Sequence, residues 1–536
     1  VSILPEKARW DRWILLAVLG WTFLLGCVPM SNFDIWWHLR TGQWIVENRA
    51  IPQIDLYTFM DRDKPWTDLH WGFQILVWGL YSLGGVNLLI VARAAFLTAA
   101  VGIGWSAAGN KLPASVRAAC WIPAVICLAG RAVIRPEMIS LVFLASWFWI
   151  LSRSAQKPRL IWWLPLLQLV WINSHALFVL GLVVWGAYLT DRIVRSCFGG
   201  RWGLEPAPSQ PEPMVLLCVS MLLLLASLAN PYFEEGAIFP LTLYRKFSVD
   251  QAFYSVRIGE FTPPLEFVKQ NGWASLGNLY FDAQLLLGLV TLLSFVRLAI
   301  RRRVNVMRLL LFAGFAHLAW KASRNTSIFA LTSAVILNGN WEDLRQFGQS
   351  RSTGFFRTLS AWMLILLCGL CVVFVTGLWS RIDGEGRRFG FGVPPGLYSH
   401  AAAKFAGQRG LPPRAFVAHF GHAAIYIFHN GPGRTVFMDG RLEVATRATF
   451  ERFDRIRNMM ARGDGRWVNL LPQGQTVPTT IILDSRTARR EINGLFNTPG
   501  WRLVFADSAA AVFVSQDVAD ELYLPQADHT PLLHPP

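Results

Sequence analysis

Apolar runs long enough to approach the width of a bilayer recur from residue 13 to residue 379, and nothing constrains this chain more. A hydrocarbon core holds no water to satisfy backbone amides, so segments of this kind cross it as helices. Over the whole 536 residues, 53% are hydrophobic and only 16% are charged, which excludes an ordinary soluble enzyme. The 25 tryptophans suit anchoring at membrane–water interfaces. The formal charge of +16 follows mostly from Lys and Arg in short loops between apolar runs. It therefore sets orientation rather than indicating nucleic-acid binding, although anionic lipid or a polyanionic substrate would also benefit.

The runs predict about eleven transmembrane helices: 13–29, 88–106, 118–134, 137–152, 159–174, 176–190, 214–229, 281–299, 307–321, 325–339 and 359–379. Residues 13–29 lack a convincing cleavage site and read as a retained span. The shorter run 69–83, ending in Gly84-Gly85, reads as an interfacial or re-entrant helix. Lys7, Arg9 and Arg12 place the N terminus in the cytoplasm. The inner loops then carry Lys111 and Arg117; Arg153, Lys157 and Arg159; Arg192, Arg195 and Arg201; Arg301, Arg302 and Arg303; and Arg345, Arg351 and Arg357. An odd span count puts the C-terminal region outside, in the periplasm of a two-membrane bacterium.

This topology gathers the unusual polar residues on the outer side. Asp34, His38, Glu47, Asp55 and His70 lie in outer loop 1 (residues 30–87), Arg135 and Glu137 in IRPEM, and Asn173 and His175 at the tip of WINSHALF. Asn230 and Glu260 bound a long outer segment, and Lys321, Arg324 and Asn325 form another tip. Polar groups beside a bilayer are costly unless solvated, paired or in use. Such a cavity suits transfer from a lipid-linked substrate. Asp34 is the candidate to take an acceptor's proton or fix its hydroxyl, with Asp55 as partner. Arg135, Lys321 and Arg324 are candidates to stabilise a departing phosphate, and His38, His70 and His175 to orient it or the acceptor. Each has a structural alternative. Asp34 could cap the helix IWWHLRTGQWIVE, Arg135 could pair with Glu137, Asn173 and His175 could satisfy carbonyls, and Lys321 or Arg324 could hold lipid headgroups.

Residues 380–396 read as a linker, 397–517 as a small α/β domain and 518–536 as an irregular Pro-rich tail. Candidate strands are AFVAHF, AIYIFH, TVFMDG, TIILDS, RLVFAD and AAVFVS, the last two forming an antiparallel hairpin; helical stretches lie near 397–408 and 449–462. No Walker, Rossmann, HExxH or GxSxG pattern is present. His419, His422 and His429 have weak metal-ligand spacing across an expected strand and turn, and read as core or surface histidines. The seven cysteines lie in or near the spans and form neither a disulfide framework nor a CxxC.

The ordered set DIWWHLRTGQWI, IPQIDLYTFM, PWTDLHWGFQIL, VIRPEM, WINSHALF, NPY, EFTPP, KASRN, FMDGRLEV and WRLVFADSAAAVFV runs from about residue 31 to 515. It resembles the GT-C superfamily of integral-membrane glycosyltransferases, and more closely a largely uncharacterised bacterial membrane group related to it. The resemblance implies a polyprenyl-phosphate-linked sugar donor, an inverting mechanism at the outer face of the inner membrane, and Mg or Mn as the candidate ion. It puts the catalytic acid of the first outer loop on Asp34, with Asp55 second, although many such loops carry two closely spaced acids and Asp34 stands alone until Glu47. DGR at 439–441 is characteristic of the group and also reads as a salt bridge of Asp439 with Arg441. The implied partners are a lipid-linked sugar or membrane lipid and a membrane-protein complex, with no nucleic acid. A non-catalytic GT-C-like subunit that scaffolds or binds lipid is the alternative. A transporter is disfavoured, because no internal repeat is found.

Overall fold

The computed structural model describes residues 6–60, 64–109, 111–199, 208–271, 278–345, 353–472 and 479–533. Arg201 and Arg351 of the expected inner loops lie outside the described residues. The chain divides into two compact units, one formed by residues 1–29 and 87–391, the other by residues 30–86 and 392–536.

The first unit is helical and membrane-like. All the segments expected to span are helical, but four helices among the described residues are long and apolar enough to cross a bilayer, or five if one bent pair counts as a single span. They are Trp71–Ala107, Ala176–Phe198, Leu279–Ile300 and Phe356–Val375, and the pair is Pro213–Leu228 with Phe233–Val249, bent by 91°. This corrects the expected eleven. Ala114–Gly130, with 17 residues, rises only about 26 Å, short of the ~30 Å core. Charge at the start of Glu6–Gly26 likewise shortens its apolar window. The runs 69–83 and 88–106 form two helical stretches of Trp71–Ala107, separated by a kink where Gly84 (φ −149°, ψ 16°) and Gly85 (φ 60°, ψ −152°) leave helical geometry. Only glycine reaches the Gly85 conformation without strain.

The apolar faces point outward. Leu217, Leu224 and Leu225 on one helix, Leu286, Leu289 and Leu293 on another, and Trp362 and Ile365 on a third are each more than half or nearly half exposed. Such a surface needs lipid around it. Several polar side chains inside this unit are paired. Arg93 donates from Nε to the Gly26 carbonyl (2.9 Å) and also bonds the Val28 carbonyl, and Arg308 Nη1 meets Asp343 Oδ2 at 2.6 Å. The segment expected as a linker is held as well. Asp383 accepts from the amides of Glu385, Gly386 and Arg387, and the Arg387 guanidinium donates to the carbonyls of Ala129 and Gly130.

The second unit is α/β. Its sheet is built from β1 (Arg414–Val417), β2 (Thr435–Val436), β3 (Thr479–Asp484), β4 (Trp501–Ala506) and β5 (Ala510–Ser515), in the order β2-β1-β3-β5-β4. β1 runs parallel to β2 and β3, while β5 is antiparallel to both β3 and β4. The terminal hairpin thus forms as its sequence suggests. AIYIFH does not form a strand: Phe420–Asn430 is a helix, started by His419, whose ring accepts the Gly421 amide. Its run of apolar residues is buried on every face, which removes the alternation that would separate helix from strand. The region 518–536 is less irregular than expected, with helical turns at Gln516–Glu521 and Thr530–Leu533.

Residues 30–86 belong to this unit, and part of them continues the sheet. The Val436 amide donates to the Tyr57 carbonyl (2.8 Å) and the Phe59 amide to the Val436 carbonyl (2.9 Å), so DLYTF lies alongside β2. The helix Ile35–Asn48 packs on Phe420–Asn430 through Trp36, whose ring centroid lies 5.0 Å from Phe428 and 4.4 Å from His400. Gly42 permits close contact with the helix that follows, since a Cβ there would stand 2.2 Å from the Gln74 carbonyl oxygen.

Candidate functional site

The two acids singled out in outer loop 1 arrive at one turn of the C-terminal domain. Asp55 is held in that loop by its own backbone, where its carboxylate accepts the Tyr57 and Thr58 amides at 3.1 Å each and also the Thr58 hydroxyl. Its Oδ1 stands 2.6 Å from Arg441 Nη2, and Asp439 Oδ2 is 2.7 Å from the same nitrogen. All three side chains are almost fully buried. Trp66 and Tyr57 face the guanidinium, at 4.5 and 4.9 Å from their ring centroids. Burial works against the Arg441 charge, but the Asp439 and Asp55 carboxylates outweigh it and hold the guanidinium protonated.

Asp34 lies at the same turn. Its Oδ1 is 3.2 Å from where a Cβ on Gly440 would stand. It precedes the helix Ile35–Asn48 but makes no side-chain capping bond to it; its own amide donates to Asn32 Oδ1 (3.1 Å). The capping role that the sequence suggested is therefore not what holds this carboxylate.

His38 and His70 also come together, with ring centroids 5.7 Å apart. His38 is buried between Trp37 (3.6 Å) and Phe73 (5.2 Å). The Asp68 carboxylate lies 3.2 Å from His70 Nδ1 and accepts the His70 amide. Arg40 turns away, donating to the Gly431 carbonyl (2.7 Å) and Gln43.

Arg135, Glu137 and Arg324 form a second cluster, in the helical unit. Arg135 pairs with Glu260, and Arg131 lies 3.4 Å from Glu260 and 3.6 Å from Glu137. Burial alone would raise the Glu260 carboxyl, but Arg135, Arg131 and Arg324 bring it down to about 2. Arg324 also packs over Phe261 (5.0 Å), and Lys321 Nζ stands 6.0 Å from the Tyr244 ring. Arg131 and Glu260 join Arg135 and Glu137 in one charged cluster. His175 and Asn173 are engaged locally. Ser140 Oγ lies 2.8 Å from His175 Nδ1, and Asn173 Nδ2 donates to the Leu169 and Ala229 carbonyls.

Sequence reasoning missed Arg131, Asp68 and the connection of Asp55 to Arg441. Arg131 stood four residues before Arg135, a visible signal; the pairing of positions 55 and 441 had none.

A resident Mg or Mn ion does not fit around Asp34 within this unit. Of the three nearby carboxylates, Asp55 and Asp439 are already bonded to a buried guanidinium, which would repel a cation.

The fold is similar to that of the Archaeoglobus fulgidus oligosaccharyltransferase. The apo crystal structure matches with a TM-score of 0.57 and 11% identity, covering 89% of this chain and 70% of that one. The structure of the same enzyme tethered by a disulfide bond to an acceptor peptide containing the NVT sequon matches with a TM-score of 0.56 and 11% identity, covering 96% and 74%. No protein-family model and no curated protein matches the chain. The likeness shows a shared fold, helical and membrane-like with a C-terminal α/β region.

Proposed function

We propose that this protein is a membrane glycosyltransferase that moves sugar from a polyprenyl-phosphate donor with inversion, at the outer face of a bacterial inner membrane. The observation that carries the reading is the placement of Asp34 beside the Asp439-Gly440-Arg441 turn without a capping bond, in a chain whose fold is like that of an oligosaccharyltransferase. A carboxylate placed beside that turn can take the proton of an acceptor hydroxyl or amide.

Asp34 is the acid–base residue in this reading. Asp55, fully engaged by Arg441 and Thr58, positions the turn instead of reacting. His38 and His70 orient the acceptor from the same unit. Arg135, Arg324 and Arg131 outnumber Glu137 and Glu260, so that cluster carries net positive charge to stabilise the leaving phosphate, with Lys321 beside it. Asn173 and His175 hold the neighbouring hairpin in shape. The basic residues before the first helix support a cytoplasmic N terminus, and this reading puts the α/β unit in the periplasm.

Inversion asks for a single displacement. The acceptor oxygen or nitrogen attacks the anomeric carbon, Asp34 takes its proton, and the carbon–oxygen bond to phosphate breaks with its electron pair on the phosphate. D34N protein reconstituted with polyprenyl-phosphate sugar is expected to lose at least about 100-fold in donor turnover, the usual weight of a general base, while still binding donor. Wild-type turnover by D34N would remove Asp34 from the chemistry, and wild-type protein that binds donor without turning it over would support the non-catalytic lipid-binding subunit.

A further inference from the structure

We infer that the C-terminal α/β unit holds a transition-metal ion, zinc by its donor set, at His419, His422 and Asp484. One donor atom from each residue lies within 4.8 Å of the others. Sequence spacing alone suggested only loosely placed histidines, because the third ligand is at the end of β3, more than sixty positions further on. The fold supplies what the spacing lacked. His419 ends the extended residues after β1 and starts the helix Phe420–Asn430, His422 sits in the first turn of that helix, and Asp484 closes the neighbouring parallel strand.

The geometry of His422 and Asp484 is compatible with two ligands of one ion. His422 is 1% exposed, and neither of its ring nitrogens makes a well-formed hydrogen bond. Yet its Nε2 is only 3.0 Å from Asp484 Oδ2. Two polar atoms that approach without aligning a proton between them converge on a common point. Donors around a tetrahedral zinc stand about 3.3 Å apart for bonds near 2.05 Å. The carboxylate is already oriented, with Oδ1 accepting the Arg486 and Thr487 amides at 2.8 Å each, which leaves Oδ2 to face the histidines. Arg486 Nη2 stands 3.8 Å from Oδ2, beyond hydrogen-bond reach, and Arg457 is taken by Glu491 (2.6 Å). His419 Nδ1 accepts the Gly421 amide at 3.2 Å; ligation through either ring nitrogen replaces that long bond. Phe33 covers the cluster, stacked on His422 at 5.5 Å and edge-on to His419 at 5.1 Å. Two imidazoles and a carboxylate are a zinc-type set with one position left for water or an added ligand. Phe33 immediately precedes Asp34, so the ion would fix the cover from which that carboxylate projects.

The test is metal binding by the full-length protein in detergent, independent of any transferase activity. After chelation and dialysis, wild-type protein should take up one equivalent of Zn²⁺ by elemental analysis. With Co²⁺ it should show the intense visible bands of a four-coordinate site. H422Q and H419Q should each lose the bands and weaken Zn²⁺ affinity more than about 100-fold, beyond the effect of removing a group that merely supports a ligand. H429Q removes a histidine that pairs with His400 at 2.9 Å elsewhere in the unit and should keep the equivalent. If H422Q does not fold, the half-buried His419 decides the outcome through H419Q. Wild-type protein that binds no Zn²⁺, or folded H419Q or H422Q that keeps the full equivalent, would overturn the assignment.

Discussion

Replacing Arg441 by methionine tests whether outer loop 1 is tied to the C-terminal domain by charge. The guanidinium bonds Asp55 at 2.6 Å and Asp439 at 2.7 Å, and all three side chains are at most 2% exposed. Methionine keeps much of the volume against Trp66 and Tyr57 but leaves two carboxylates buried without a counter-charge. Breaking a buried pair by removing one partner costs about 3–5 kcal/mol. For a unit of about 200 residues each kcal/mol moves Tm by about 2–4 °C, so R441M should melt roughly 6–20 °C lower at pH 7. The gap should also depend on pH. Without Arg441 the buried carboxylates bind protons more tightly folded than unfolded, so the variant gains stability as pH falls toward 5 and the gap narrows. Removing all three charges in D55N/D439N/R441M should recover much of the loss, because no unpaired charge remains buried. Calorimetry of the detergent-solubilised protein reads all three. A shift below about 2 °C in R441M, or a gap that widens on acidification, would refute the argument.

Two further outcomes follow from the same unit. A Cβ at Gly421 would stand 2.3 Å from Phe33 Cγ, so G421A should cost about 1–3 kcal/mol by overpacking and speed hydrogen exchange in residues 31–36, as mass spectrometry would show. His400 and His429 are both lowered to about 4, chiefly by burial. Neutral rings are thus favoured in the folded unit, and the unfolded chain takes up more protons between pH 6.5 and 4. Stability should be fully present above pH 6.5 and fall through that window, and H400Q/H429Q should flatten the fall in an acid titration followed by tryptophan fluorescence.

The sequence carried the helices of the first unit almost segment by segment, because a long apolar run has few alternatives to a helix. It did not carry which of them span, since that depends on length at the ends and on breaks such as Gly84-Gly85. In the α/β region, β3 to β5 were legible from alternation and turn residues, whereas Phe420–Asn430 is buried all round and has no period to read. The site was legible in pieces. Asp34, Asp55 and the DGR turn each stood out as a polar break in an apolar setting. Their meeting depends on DLYTF pairing with Val436 across hundreds of residues, and local pattern holds no information about such a contact. The same limit hid Asp484 behind His419 and His422.

The two clusters separate by charge, and that separation can be read in kinetics. At the DGR turn Asp55 and Asp439 exceed Arg441 by one negative charge before Asp34 is added. A phosphate would be repelled there, whereas a hydroxyl or amide acceptor losing a proton would be favoured. In the helical unit three arginines face two glutamates, leaving the excess positive charge that a departing phosphate requires. If the donor is met at the arginines and the acceptor at Asp34, their variants must fail differently. R324Q should raise the donor KM and lower kcat/KM by roughly 10–100-fold, consistent with a charge-assisted bond of about 1.5–3 kcal/mol. D34N should leave the donor KM within about threefold and lower kcat. Inorganic phosphate or polyprenyl phosphate should compete with the donor in the wild type and more weakly in R324Q, with inhibition by D34N unchanged. If R324Q leaves kcat/KM unchanged, or if D34N weakens competition by polyprenyl phosphate as much as R324Q does, the assignment of phosphate to the arginine cluster fails.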